Sequence, residues 1–202
     1  MKQILVTGFE PFDGYKTNPS QEVVVQINNQ EIGKYQVNGI VLPLDYEKAF
    51  KILLESISKT EPPYILLCGQ AYRPYIGLEK IAVNAVNTSR ADNEGNLPES
   101  DLILENAPTA YFSTIDPKPL VAVLHEKEIP ANISYHAGTY GCNWLFYKIL
   151  HWNANSKQDL GIIFIHLPPL PKQALEKNES TIPTMSLDLE LKAITEIIKN
   201  LS

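Results

Sequence analysis

The run YILLCG, residues 64–69, follows Pro62-Pro63, ends on glycine and contains no charged residue. Six residues is strand length. Apolar side chains at consecutive positions suit a strand covered on both faces, as parallel strands between two helix layers are. Upstream, KQILVT (2–7) reads as another short buried strand running into Gly8, and YQVNGIVLPL (35–44) as a third, closed by proline. PSQEVVVQINN (19–29) lies between them and reads as a helix, with Asn18 or Ser20 as cap and Pro19 in the first turn. Asp45 is placed to cap a further helix, in which Phe50, Leu53, Leu54 and Ile57 follow the i, i+3, i+4, i+7 spacing. The order β-α-β-α-β specifies an α/β fold, a sheet with helices on both faces.

Residues 70–116 are less regular. EKIAVNAV (79–86) reads as a strand, and 87–107 as a long polar loop or hairpin. Beyond them the pattern predicts a helix at 118–128 and a short strand at 132–136. A helix from Gly141 to Trp152 follows, with Leu145, Phe146, Ile149 and Leu150 on one face, and then a buried strand, GIIFIH (161–166). Ser186 to Leu201 reads as an amphipathic helix with Leu187, Leu191, Ile194, Ile198 and Leu201 as its stripe and Asp188 and Glu190 in its first turn. No repeat, low-complexity tract or linker divides the chain, so residues 1–202 are read as one domain.

Composition narrows the function classes. The 202 residues are 44% hydrophobic and 20% charged, with a formal net charge of −6. A chain of this length buries roughly 70% of its unfolded surface, so it needs no disulfide or metal to hold a core. The basic residues are scattered, unlike the footprint of a nucleic-acid binder. No segment approaches the roughly 20 apolar residues of a membrane span. The opening MKQILVTGFEPFDG lacks the length and cleavage site of a signal peptide, which together with only two cysteines predicts a cytoplasmic protein. Two cysteines cannot build a four-cysteine zinc site, and the four histidines fall in no ligand spacing, so no metal is expected.

In an open α/β sheet, sites gather where strands end and the chain turns toward a helix. Thr7-Gly8-Phe9, Gly69-Gln70 and His166-Leu167-Pro168 are three such ends. The segment HAGTYGCNWLFY (136–147) is richer. Glycines at 138 and 141 tighten its turn, and Cys142 falls in the first turn of the helix that follows. There the helix dipole favours a thiolate, and free backbone N–H groups are available to an oxyanion. The competing reading of Cys142 is a small buried hydrophobe, which is also the reading of Cys68 inside YILLCG. A nucleophilic thiolate needs a base, and the base an orienting partner. His166, at the mouth of an apolar strand before LPPLP, suits that role better than His125, His136 or His151, although a histidine at a strand end also serves purely structural roles. Among 17 basic residues the two arginines, Arg73 and Arg90, bracket Glu79 and predict an ordered polar region between 70 and 93.

Five segments together resemble the pyroglutamyl peptidase I family of cysteine peptidases along nearly the whole chain. They are LVTGFEPFDG with NPS (18–20), GQAYRPYIGLEKIAVN (69–84), DNEGN (92–96), AGTYGCN (137–143) and FIHLPPLPKQ (164–173). The resemblance implies a single-domain α/β/α sandwich with a twisted, mostly parallel central sheet. It also implies no cofactor and the removal of N-terminal pyroglutamyl residues from peptides, and it suggests a homo-oligomer, commonly a tetramer. The family's catalytic triad falls on Glu79, Cys142 and His166. Phe9 and Phe12 match the positions that wall the pyroglutamyl ring, and Gln70, Tyr140 and Gly141 match positions that supply backbone contacts. A neutral lactam suits such a pocket of aromatic walls and a few hydrogen bonds.

The chain departs from the family pattern at Gly141, where a bulky aliphatic residue is usual, which predicts a looser or differently shaped pocket. It departs also in AVNTSRA (85–91), where Arg90 is offset by one position, and at Tyr72 and Pro74. These departures keep a second reading open, a non-catalytic small-molecule-binding α/β domain on the same scaffold. A phosphate loop at TGFEPFDG is disfavoured, because the segment has no G-x-G-x-x-G and no Walker lysine.

Overall fold

The structure, a computed structural model, describes residues 1–201. In chain order the elements are β1 (Lys2–Phe9), α1 (Pro19–Ile27), β2 (Glu31–Ile32), β3 (Tyr35–Leu42), α2 (Tyr46–Thr60), β4 (Tyr64–Gln70), β5 (Ile76–Glu79) and β6 (Ile81–Val83). They continue with β7 (Ala110–Phe112), α3 (Pro117–Glu126), β8 (Ala131–Ser134), α4 (Gly141–Asn155), β9 (Gly161–Leu167), α5 (Pro171–Lys177) and α6 (Leu187–Lys199). Seven strands form one mixed sheet in the order β2-β3-β1-β4-β9-β5-β8. It is mostly parallel; β2 runs against β3, and β5 against β9. Among the described residues no helix is long and apolar enough to cross a membrane.

Strand alternation divides the core in two. Ile4 and Val6, Leu66 and Cys68, and Ile163 and Ile165 face one side, where they meet α1, α3 and α6. Leu5, Ile65, Leu67, Ile162 and Phe164 face the other, with α2 and α4 over them. This is the expected α/β/α layering. The β4 run is buried on both sides, which explains why its sequence shows no alternation.

Local chemistry accounts for most helix starts. Asn18, Asp45, Asp116 and Ser186 each accept a backbone N–H with their side chains. One expectation is corrected. The strand read at 79–86 is two: Glu79 ends β5 in the main sheet, whereas β6 leaves it to pair with β7 in a separate ribbon. No glycine or proline marks that break, at Lys80. After β9, Pro168 to Leu170 form an irregular turn, and Pro171 opens α5 at a first-turn position whose missing N–H costs nothing.

Glu190 lies in the first turn of α6 as expected, yet it is wholly buried, and among the described residues neither carboxyl oxygen is hydrogen-bonded. Desolvation pushes its carboxyl up to about 9 from the ordinary 4.5. The folded state therefore holds a proton that the unfolded chain releases. Stability from this group is full below the ordinary value and is lost as pH rises through that interval. We expect Glu190→Gln to flatten this slope, so that urea denaturation shows its advantage over the native chain growing with pH.

Candidate active site

Five residues share one face of the sheet because of strand parity. In β4, β9, β5 and β8 the residues pointing toward α1, α3 and α6 are apolar, which leaves Gly69, His166, Gly77, Glu79 and Ser134 on the α4 side. Register then gathers them. Gly69 and Gly77 both lie beside His166, and Glu79 pairs with Ser134 and with Phe164. Because β5 is antiparallel to β9, its last residue reaches below His166 instead of extending past the sheet edge.

His166 Nδ1 lies 2.7 Å from Glu79 Oε1, and both side chains are buried. Arg73 donates to the same oxygen at 2.8 Å, to Ser134 Oγ at 2.9 Å and to the His136 carbonyl at 2.7 Å. Burial works to raise the Glu79 carboxyl. The hydrogen bond and charge of His166, together with Ser134 and Arg73, outweigh it and hold the group below its ordinary value. A carboxylate on Nδ1–H leaves Nε2 as the free nitrogen of the ring. The Phe164 ring, 4.8 Å from the imidazole between centroids, supports its orientation.

Cys142 is half-buried in the first turn of α4. Its Sγ lies directly over Gly69: a Cβ there would sit 2.9 Å from Sγ and 2.9 Å from Phe164. Absence of a side chain at Gly69 is thus what lets the thiol settle on β4 beside His166, the residue paired with Gly69 on β9. We expect Gly69→Ala to displace the sulfur and cost on the order of 10²-fold in kcat/KM toward the substrate proposed below, with far-UV circular dichroism unchanged. Asn143 anchors the same turn. Its side chain accepts from Val83 N at 3.0 Å and donates to the Val83 and Ala85 carbonyls.

The dipole expectation for Cys142 is reversed. Burial and the charge of Glu79 push its thiol up to about 12, and its own backbone hydrogen bond and Arg73 offset this only in part. Desolvation outweighs the helix end. Cys68, fully buried on the opposite side of the sheet, is pushed higher still, by burial and then by Glu190. Unlike α1, α2, α3 and α6, α4 begins without a side-chain cap, from Tyr140. Its first-turn N–H groups beside Sγ are consequently not taken up by a cap.

At the start of α4 lies a tight cavity of about 10 Å³, bordered by Phe9, Leu44, Tyr46, Asp92, Tyr140 and Gly141. That is room for about one water molecule, so a larger ring enters only if a wall gives. The looseness expected at Gly141 is absent, since Leu44 Cδ1 lies 2.9 Å from where a Cβ would be. Phe9, Tyr140 and Gly141 border this cavity, whereas Phe12 packs half-buried against the neighbouring core and Gln70 bonds to Gln173 at 2.9 Å. Asn93 ties the walls together. It donates to Leu44 O, Glu10 Oε1 and Pro11 O, while Tyr140 Oη donates to Ala91 O at 2.8 Å. Arg90 stands apart, exposed and 3.5 Å from Asp13.

Sequence reasoning missed Ser134, Asn143 and Leu44, and it had marked Gly69 only as a strand end. Arginine scarcity pointed to Arg73, and nothing local pointed to the others.

Known proteins share both the sequence pattern and the fold. The pyroglutamyl peptidase family model matches residues 2–202. The pyrrolidone-carboxylate peptidase of Brevibacillus brevis is 42% identical over 96% of this chain and 90% of its own length. That of Pyrococcus furiosus is 40% identical over 98% and 96%. The crystal structure of the Fervidobacterium islandicum pyrrolidone carboxyl peptidase superposes with a TM-score of 0.94 at 34% identity, covering 99% of this chain and 98% of that one. On that full-length match, this chain belongs to the pyroglutamyl peptidase family.

Proposed function

We propose that the chain is a single-domain cysteine peptidase that removes N-terminal pyroglutamyl residues from peptides, with Cys142 as nucleophile, His166 as general base and Glu79 as orienting acid. The observation that carries this reading is the buried 2.7 Å contact between His166 Nδ1 and Glu79, on the strand face over which Cys142 Sγ sits. Because the resting thiol is raised to about 12, it is protonated at neutral pH. The attack is then general-base catalysis and does not start from a standing ion pair.

His166 Nε2 takes the thiol proton as sulfur bonds to the carbonyl that joins pyroglutamate to the next residue. The C–O π pair moves onto oxygen, and the uncapped N–H groups of the first α4 turn are placed to stabilise it. Collapse breaks the C–N bond, and the leaving amine receives its proton from His166. Water, deprotonated in turn by His166, adds to the thioester and releases pyroglutamate with the thiol restored. Glu79 stays ionised throughout, fixes the tautomer and stabilises the imidazolium.

The decisive assay is fluorophore release from pyroglutamyl-aminomethylcoumarin. Release, with a stoichiometric acyl-enzyme trapped on Cys142, supports the reading; no release and no acylation would sink it.

A further inference from the structure

Arg73, in the loop after β4, ties the Glu79–His166 pair to the turn that leads into Cys142. Its Nη1 donates to Glu79 Oε1 at 2.8 Å, the same oxygen that lies 2.7 Å from His166 Nδ1. Nη1 also donates to Ser134 Oγ at 2.9 Å, and Nη2 donates to the His136 carbonyl at 2.7 Å. His136 begins the turn that ends at Cys142. Its N–H donates to Ser134 Oγ at 3.3 Å, and its ring Nδ1 accepts from Gly138 N at 3.0 Å. A guanidinium can hold a carboxylate, a hydroxyl and a carbonyl in one fixed geometry, which an ammonium cannot.

Gly77 makes room for this contact. It pairs with His166 across β5 and β9. A Cβ at Gly77 would sit 2.7 Å from Arg73 Nη1, too close to coexist with it. The same Cβ would stand at ordinary contact distance from Glu79 Oε1, 3.5 Å, and from His166 Cβ, 3.7 Å. The missing side chain is therefore matched to the guanidinium and to no other neighbour. Arg73 does not border the cavity at the start of α4. Its charge bears on both ends of the triad. Burial raises the Glu79 carboxyl, and His166, Ser134 and Arg73 together bring it below its ordinary value. Burial and the Glu79 charge raise the Cys142 thiol, and Arg73 opposes that rise.

We propose that Arg73, seated over Gly77, is a positioning residue that locks the Glu79 carboxylate to the turn leading into Cys142 and so holds acid, base and nucleophile in register. It acts through Glu79 and His136. The assignment rests on the peptidase reading above and goes beyond it by naming what aligns the triad.

The test compares Gly77→Ala, Arg73→Gln and the double variant. Gly77→Ala keeps the charge and pushes aside only the flexible end of the arginine, so its fold is expected to hold. On pyroglutamyl-aminomethylcoumarin we expect kcat to fall on the order of 10²-fold in each single variant, with KM within about threefold of native. The double variant should be no slower than Arg73→Gln, because the added methyl then has no guanidinium to displace. A second readout needs no turnover: iodoacetamide alkylation of Cys142, followed by mass spectrometry of the peptide that contains it. It should slow about fivefold in both single variants, since the guanidinium no longer favours the thiolate. Losses that multiply in the double variant overturn the assignment, as does a loss confined to KM or a kcat within about threefold of native in Gly77→Ala. If Arg73→Gln does not fold, the Gly77→Ala criterion decides alone. If the native chain cleaves no pyroglutamyl amide but alkylation slows in the single variants and no further in the double, the Arg73 assignment stands and the peptidase reading falls. If cleavage proceeds and the variants match the native chain, only the Arg73 assignment falls.

Discussion

Cys142→Ala is expected to lower turnover of pyroglutamyl-aminomethylcoumarin by on the order of 10⁵-fold or more, while circular dichroism and melting stay near native. The size follows from the proposed chemistry: without sulfur there is no covalent intermediate, and uniform binding in the pocket cannot replace it. Little structural cost is expected. Sγ rests over a glycine in a half-buried position, and the helix start is anchored independently by Asn143. Cys68→Ala is the internal control, since that thiol lies on the far side of the sheet. Turnover within tenfold of native in Cys142→Ala would remove this residue as nucleophile.

His166→Ala is expected to cost about 10³–10⁵-fold at neutral pH. With the thiol raised by burial and by the Glu79 carboxylate, little thiolate is present at pH 7, and without the imidazole that fraction is all that can attack. The variant should therefore show a pH signature. Its residual rate should climb about tenfold per pH unit as thiolate accumulates, whereas the native rate has no such dependence on free thiolate. A flat residual profile, or activity near native, would rule His166 out as the base. Glu79→Gln should cost less, about 10²–10⁴-fold, because an amide still occupies the site but no longer stabilises the imidazolium.

Much of this molecule is legible in one dimension. Asn18, Asp45 and Ser186 announce helix starts by local hydrogen bonding, and YILLCG and GIIFIH announce strands buried on both faces. The place of Cys142 at a helix start was legible, while its role, like those of His166 and Glu79, was assigned only by motif resemblance. The break between β5 and β6 was not legible, because EKIAVNAV holds no glycine or proline and the sheet edge that splits it is made by distant strands. Nor was the burial of Glu190, where the amphipathic stripe of α6 extends one residue into what reads as a solvated turn.

The sequence by itself determined the order of elements, the α/β class, the family and the three residue types that the proposed chemistry requires. Tertiary structure alone decided how they meet. An antiparallel β5 brings Glu79 beneath His166, and no local signal encodes the direction in which a strand joins a sheet. Register puts side-chain-free Gly69 under the sulfur, and Leu44 fills the space left at Gly141. Protonation was decided there too. The helix start that lowers a thiol pKa in isolation is outweighed once burial strips water from Cys142 and places it near the Glu79 carboxylate, because desolvation and charge depend on neighbours far away in sequence.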